Sequence, residues 1–299
     1  MELRSLRYFL AVAREGSITR AANALHLTQP TLSRQMQELE EELGAKLLNR
    51  RSHSVELTPE GMRLRQRAEE IQTLVDQTRA EFRPQGSCIE GDVYIGGGET
   101  RVMRHVADIV REVRREHPGI RIHLSSGNAQ EVTECLDRGL LDFGVLIQPA
   151  SLVKYEHLPL PERDVWVAVV PAGHPLAELP CAARKDLLPW PLILSQQAIA
   201  DTGPDNEFVG WFGEDWGSIS VAATFNLVYN ATLLVRSGIG VLVSIDGLVG
   251  ASGQSGLASI PLEPRLETAL DIVWRRGRIF SPAAALVLAA FQERFGNPR

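Results

Sequence analysis

The chain has 299 residues, 44% of them hydrophobic and 23% charged, with a net charge of −6 at pH 7. That length allows two or three domains with proper cores, and that composition excludes a disordered or fibrous protein. No early run joins a basic start to an apolar core, and no window approaches the ~20 apolar residues that span a bilayer, so a cytoplasmic protein without membrane association is expected.

Leu3, Leu6, Phe9, Leu10 and Ala13 recur at helical spacing and predict a first amphipathic helix. Ser17 is placed to cap a second, whose inner face is Ala21, Ala22 and Leu25. His26-Leu27-Thr28 breaks the pattern. Thr28 then caps a third helix, with Gln29 and Pro30 in its first turn, where a proline's missing N–H costs nothing. Leu32, Met36, Leu39 and Leu43 face inward, which leaves Gln29, Thr31, Ser33, Arg34 and Gln37 outside at the N-terminal end. Two helices joined by a tight break form a helix-turn-helix, and the second enters the DNA major groove by that end. Amide, hydroxyl and guanidinium groups suit the donor and acceptor pattern of base edges. Thr28, Gln29, Pro30, Thr31, Ser33, Arg34 and Gln37 are therefore candidate DNA-binding residues; the alternative is a solvated helix face. After Leu43-Gly44, residues 46–58 read as two short strands around a polar tip, a wing. Arg50, Arg51 and His53 are its candidate contacts to phosphates or the minor groove. Through Arg83 the chain holds 13 Lys+Arg and 12 Asp+Glu, leaving 18 and 25 for the rest. The asymmetry has the sign DNA binding wants but is slight, with acids clustered at Glu38 and Glu40–Glu42.

Thr58-Pro59-Glu60 opens the next helix with a cap, a first-turn proline and an acid where the dipole favours it. Leu64, Ala68, Ile71, Val75, Thr78 and Phe82 then alternate at spacings of four and three, the seam of a coiled coil. A helix roughly 37 Å long is predicted to pair with a second copy of itself; the alternative is a surface helix packed on its own domain. Arg83-Pro84-Gln85-Gly86-Ser87 reads as a hinge.

From Gly91 strands and helices alternate, an α/β pattern. Val93–Ile95, Ile120–Leu124 and Phe143–Ile147 are strands, with helices through His117 and over Asn128–Arg138. Val165–Val170, Leu192–Ser195, Ile219–Thr224 and Val241–Ile245 form a second set, with a helix near Asn226–Ser237. Leu270–Trp274 and a helix over Pro282–Phe295 close the chain. Residues 196–218, rich in Gly, Trp and acids, have no clear place in this pattern. Ligands of open α/β sheets bind beyond the strands' carboxyl ends, where helix N-termini present unpaired N–H groups. Gly98-Glu99-Thr100, Ser126-Gly127-Asn128 and Thr224-Phe225-Asn226 are such loop-to-helix starts, although Thr100, Asn128 and Asn226 could equally serve as helix caps.

The run FLAVAREGSITRAANALHLTQPTLSRQMQELEEELGAKLLNR, followed by VELTPEG, resembles the winged helix-turn-helix of the LysR-type transcriptional regulators over roughly residues 1–62. The phrases GNAQEV, LLDFG, PAGHPL and GIG resemble landmarks of that family's effector-binding domain. The resemblance implies a DNA-binding domain at 1–58, a linker and dimerisation helix at 59–83, a hinge at 84–90 and an effector-binding domain at 91–299. Within the last, lobe I would cover about 91–162 and 266–299, and lobe II about 163–265, the two-lobed α/β architecture of periplasmic solute-binding proteins. It further implies a homodimer or homotetramer on double-stranded DNA at an interrupted inverted repeat near a promoter, contact with RNA polymerase, and a small effector in the cleft. The implied effector residues are Gly98, Glu99, Thr100, Asn128, Thr202, Gly203, Thr224 and Asn226. Two departures stand out: His53 and Ser54 replace the basic wing tip often present, and Gly98 stands where a small hydroxyl residue is often found. With Glu99 beside it, the expected effector is a small polar molecule held by Thr100, Asn128 and Asn226, less dependent on a carboxylate than is usual.

Other chemistries lack their motifs. The glycines at 96–98 miss the G-x-G-x-x-G spacing, and there is no G-x-x-x-x-G-K-[ST], H-E-x-x-H or G-x-S-x-G. Seven scattered histidines and three distant cysteines, Cys88, Cys135 and Cys181, offer no metal-ligand spacing or disulfide framework. Neither an enzyme nor a cofactor is expected.

Overall fold

The structure is a computed structural model and describes residues 1–50, 54–82, 89–200, 206–249 and 256–296. The chain divides into two compact units, Met1–Arg83 and Pro84–Arg299.

In the first unit, α1 (Leu3–Glu15), α2 (Ile18–Ala24) and α3 (Gln29–Leu43) surround a core of Phe9, Val12, Ala21, Ala22, Leu32, Met36 and Leu39. Ser17 caps α2 by accepting from the Arg20 N–H. The tight break between α2 and α3 needs a left-handed residue, and His26 supplies it at φ 55°. The antiparallel strands β1 (Leu48–Arg50) and β2 (Val55–Leu57) pair Leu48 with Leu57 and form the wing. The long helix α4 (Pro59–Glu81) follows. Thr58 ties its start to the wing, its hydroxyl donating to the Lys46 carbonyl at 2.6 Å and accepting from the Gly61 N–H at 2.9 Å. Gly61 is required there, because a Cβ would stand 2.2 Å from the Leu47 carbonyl oxygen.

The second unit opens with β3 (Gly91–Gly97), α5 (Met103–Glu116), β4 (Ile120–Ser126), α6 (Ala129–Asp137), β5 (Phe143–Ile147) and β6 (Tyr155–Pro159). The chain then crosses into a second lobe through β7 (Asp164–Pro171), β8 (Ala182–Ala183), α7 (Arg184–Leu187), β9 (Pro191–Ser195), α8 (Gln196–Ile199) and α9 (Glu207–Phe212). That lobe is completed by β10 (Ser220–Phe225), α10 (Val228–Arg236), β11 (Val241–Ile245), β12 (Leu257–Glu263) and β13 (Glu267–Thr268). β14 (Leu270–Arg275) and α11 (Pro282–Phe295) end the chain.

The first sheet runs β4-β3-β5-β14-β6, with β3 parallel to both neighbours and β14 antiparallel to β5 and β6. The last strand therefore lies in the middle of the first sheet, and Phe291 of α11 packs edge-on against Phe143 of β5. The second sheet runs β10-β9-β11-β7-β12-β8, with β13 also on β7. Two strands carry the chain between the lobes and pair with each other there: Glu267 faces Val165 and Thr268 faces Asp164. Sequence periodicity misses β6, β8, β12 and β13, which are short or edge segments with weak alternation.

Within 196–218, the described residues form an aromatic cover on the second lobe. Phe208 and Trp211 of α9 are buried, the Phe208 ring lies 4.7 Å from that of Trp166, and the Trp211 indole N–H donates to the Pro264 carbonyl at 2.6 Å. Buried Asn206 caps α9 through the N–H groups of Phe208 and Val209. Aromatic burial and these isolated hydrogen bonds, with helices too short to show a period, hold this segment, so it leaves no periodic signal. Among the described residues no helix is long and apolar enough to cross a membrane.

Candidate functional site

Thr28 caps α3, its hydroxyl oxygen accepting from the Thr31 N–H and lying 2.7 Å from the Thr31 hydroxyl. With Leu32, Met36 and Leu39 buried, the helix turns Gln29, Pro30, Thr31, Arg34 and Gln37 outward, and Ser33 is half-buried. Arg34 donates from Nε to the Glu38 carboxylate at 2.8 Å one turn along, but its side chain remains 80% exposed. Such a surface pair is worth at most ~1 kcal/mol, so the guanidinium can exchange it for a phosphate or base edge. Glu40 points elsewhere: its carboxylate accepts from the N–H groups of Leu47 and Leu48 at 2.7 and 3.0 Å, anchoring the wing to α3. Part of the acidic cluster thus serves the domain's own structure. Arg50 ends β1, whereas Arg51 and His53 lie outside the described residues.

The seam of α4 is divided. Ala68 is fully buried and Leu64 packs on the core of its own unit. Arg7 of α1 donates to Gln72 of α4 at 3.0 Å. For Leu64 and Ala68 the intrachain alternative is what the structure shows. Ile71 and Val75 are half-buried, Thr78 is exposed with its hydroxyl donating to the Leu74 carbonyl, and Phe82 is 81% exposed.

In the second unit a cavity of about 50 Å³ separates the lobes. That is well below the roughly 300–1,000 Å³ of ordinary ligand sites. Gly98, Glu99, Asn128 and Asn226 line it, together with Gln148, Trp166, Ser195, Gln197 and Phe225. Asn128 begins α6 with a reciprocal cap: its side-chain oxygen accepts from the Glu131 N–H, and the Glu131 carboxylate accepts from the Asn128 N–H, both at 2.9 Å. Capping and a place in the cleft coexist at this residue. Asn226 does not cap α10 by the usual reach: among the described residues its oxygen accepts from the adjacent Leu227 N–H.

Side chains from each lobe reach the other. The Glu99 carboxylate accepts from the Val228 N–H at the start of α10, at 2.6 Å. In the opposite direction Gln197 accepts from the Ala129 N–H at the start of α6, at 2.9 Å, and donates to the Ile147 carbonyl at 2.6 Å. Arg101 donates to Asp246 at 2.9 Å, passing over Gly247, where a Cβ would lie 2.0 Å from the arginine Cδ.

Thr100 and Thr224 do not line the cavity. Helix α5 starts at Met103, three residues later than the loop pattern suggests, and the buried Thr100 hydroxyl accepts from the Val102 N–H and bonds to Asp164. Its role is to shape the turn and support the strand crossing. Thr224 is a strand residue whose hydroxyl accepts from Gln196 at 3.3 Å. Thr202 and Gly203 lie outside the described residues. Behind Thr100, Asp164 is only 4% exposed, and burial pushes its carboxyl up to about 6 despite the Thr100 bond.

The bacterial regulatory helix-turn-helix description of the lysR family matches residues 3–62, and the LysR substrate binding domain matches residues 89–296. The chain belongs to the LysR family. It is 32% identical over 254 residues to the uncharacterized HTH-type transcriptional regulator YnfL of Escherichia coli strain K12, covering 84% of this chain and 80% of that one. It is 25% identical to the uncharacterized HTH-type transcriptional regulator YvbU of Bacillus subtilis strain 168, over 99% of both chains. The crystal structure of CbnR, a LysR family transcriptional regulator, superposes with a TM-score of 0.76 at 22% identity, covering 99% of this chain and 100% of CbnR. This LysR chain is accordingly a DNA-binding transcriptional regulator with an effector-binding domain, and not an enzyme.

Sequence reasoning missed Gln148, Trp166, Ser195, Gln197 and Phe225 as lining residues of this LysR chain. Ser195 and Gln197 had a usable signal, because they follow strand β9 at its carboxyl end, where open α/β sheets place ligands. Gln148 had the same signal, one residue past the carboxyl end of β5, whereas Trp166, inside β7, had none.

Proposed function

We propose that this regulator reads an interrupted inverted repeat near a promoter as a homodimer or homotetramer, and that a small polar effector bound between the lobes changes that reading and the contact with RNA polymerase. The observation that carries the DNA half is the N-terminal face of α3, where Gln29, Thr31, Arg34 and Gln37 are all exposed above a buried Leu32-Met36-Leu39 stripe. Support comes from the architecture shared with CbnR, which has been solved complexed with its target DNA. Gln29 and Ser33 would meet base edges, and Arg34, Arg50 and Arg51 phosphates or the groove margin. The effector half rests on the polar side chains set in a mostly apolar cavity wall, with Asn128 and Asn226 as its proposed contacts and Gly98 allowing close approach. Thr202 and Gly203 remain proposed contacts through the resemblance alone.

Footprinting on the intergenic DNA beside the chromosomal copy should reveal two protected half-sites one helical turn or a multiple apart. Arg34→Ala should weaken specific binding by about 1 kcal/mol or more. Wild-type affinity in the folded variant would overturn the assignment of α3 as reading helix.

A further inference from the structure

Helix α10 has no side-chain cap from its own N-cap residue, Leu227. A helix start of this kind favours a negative charge, and one is already supplied from the opposite lobe: the Glu99 carboxylate, 2.6 Å from the Val228 N–H. Both Glu99 and Val228 line the cavity, so the contact lies on the ligand surface and not behind it. No lysine, arginine or histidine is among the described residues lining that cavity. Any anion entering would meet a fixed carboxylate with no cation among the described lining residues to offset it, and in a small cavity with low-dielectric walls that repulsion is only weakly screened. A neutral or cationic molecule meets no such barrier. Glu99, Asn128, Gln148, Gln197 and Asn226 provide it with acceptors, and the Trp166 and Phe225 rings can face a cation.

We propose that Glu99 is a built-in carboxylate occupant of the effector cleft: it fills the anion position at the start of α10, joins the two lobes through that contact, and restricts the effector to molecules that are neutral or positively charged there. The proposal rests on the reading of this cavity as the effector site and names the class of molecule it takes. It differs from an ordinary cap in its reach, because donor and acceptor lie in different lobes and 129 residues apart.

Chemical rescue tests it in the full-length protein. Glu99→Ala keeps Cβ and removes the γ-methylene with its carboxylate, and sodium acetate is the probe that restores both. Hydrogen exchange of peptides covering Val228–Arg236 should quicken by about ten-fold or more at the first helical amide of the variant, the scale of a lost hydrogen bond to a charged group. Tens of millimolar acetate should restore protection in the variant, whereas sodium chloride at equal ionic strength should not. Wild type should respond to neither salt. Unchanged exchange in Glu99→Ala would overturn the lobe-joining contact. Acetate that fails to protect the variant, or that protects wild type equally, would overturn the occupied anion position. If Glu99→Ala does not fold, Glu99→Ser leaves the same opening with a polar lining and carries the same expectations. Glu99→Gln, which keeps an acceptor oxygen of the same reach, should retain most of the protection. Neither DNA nor effector enters the assay, so its failure leaves the effector reading to be judged separately by the effect of cleft substitutions on regulated transcription.

Discussion

At the scale of single residues, the same side-chain type serves ends that only its surroundings distinguish. Glu38 holds Arg34 at the surface, Glu40 anchors the wing, and Glu99 reaches across a cleft. Asp164 is the most consequential for pH. Its Oδ2 has no hydrogen-bond partner among the described residues, and burial raises its carboxyl to about 6, with the Thr100 hydroxyl opposing and Glu162 adding to the rise. The folded state holds this proton more tightly than the unfolded chain, so the associated stability is full below pH 3.8 and lost as pH rises through about 6. Asp92 runs the other way: hydrogen bonding from Arg121 lowers it to about 2, so its contribution is present above 3.8 and lost as pH falls through about 2. Of the two, only Asp164 titrates between those ranges. Asp164→Asn should therefore stabilise the protein by about 1–3 kcal/mol at neutral pH, with the gain shrinking toward pH ~4.5. Thermal denaturation of both proteins across that range checks it; a difference independent of pH would refute the assignment.

At the scale of elements, α4 shows how one periodic stripe divides between two kinds of packing. Leu64 occurs early enough to pack on the core that α1 and the wing complete, and Ala68, one turn on, is fully buried. Farther along, Val75 is half-buried and Phe82 almost wholly exposed, which leaves that end of the stripe for a second chain. Phe82→Asp removes no contact from a buried core, so the melting temperature of the separated chain should change little. A charge placed in an interchain seam should instead favour separation. Light scattering is expected to show a smaller species, and operator affinity to fall by about ten-fold or more because the half-sites are no longer bound together. Retained mass and affinity would mean that the helix end does not carry the assembly.

At the scale of the second unit, the lobes are joined by reciprocal reach: Glu99 from the first lobe to the start of α10, and Gln197 from the second to the start of α6. The starts of α6 and α10 thereby each obtain an acceptor from the other side, and Arg101–Asp246 adds a third bridge at the rim. Gln197 also donates to the Ile147 carbonyl, so its removal would leave two backbone groups without that partner. Gln197→Ala should quicken exchange at Ala129 by about five- to ten-fold while leaving the protection of Val228 by Glu99 nearly intact. Equal loss at both helix starts would show instead that the bridges form a single cooperative closure.

Helix existence, the break at His26, the cap at Thr28 and the outward face of α3 were all legible in the order of residues. Each depends on partners three or four positions away, and the spacing of Leu32, Met36 and Leu39 alone decides which side of α3 is wet. The strand period likewise marked β3, β5, β7, β9 and β11, because central strands are long and apolar. The Asn128 cap of α6 was legible in the same way, but tertiary structure alone decided what the start of α10 receives. Thr100 had the right chemistry at the right kind of loop, yet it turns toward Asp164 because α5 begins later and the strand crossing lies behind it. Glu99 had no local partner to betray its role, since the N–H it meets is 129 residues along the chain. Local spacing encodes what a helix or strand presents to its own neighbours. Contacts between lobes depend on how two sheets face each other, which is set by the packing of the whole unit and by no short stretch of it.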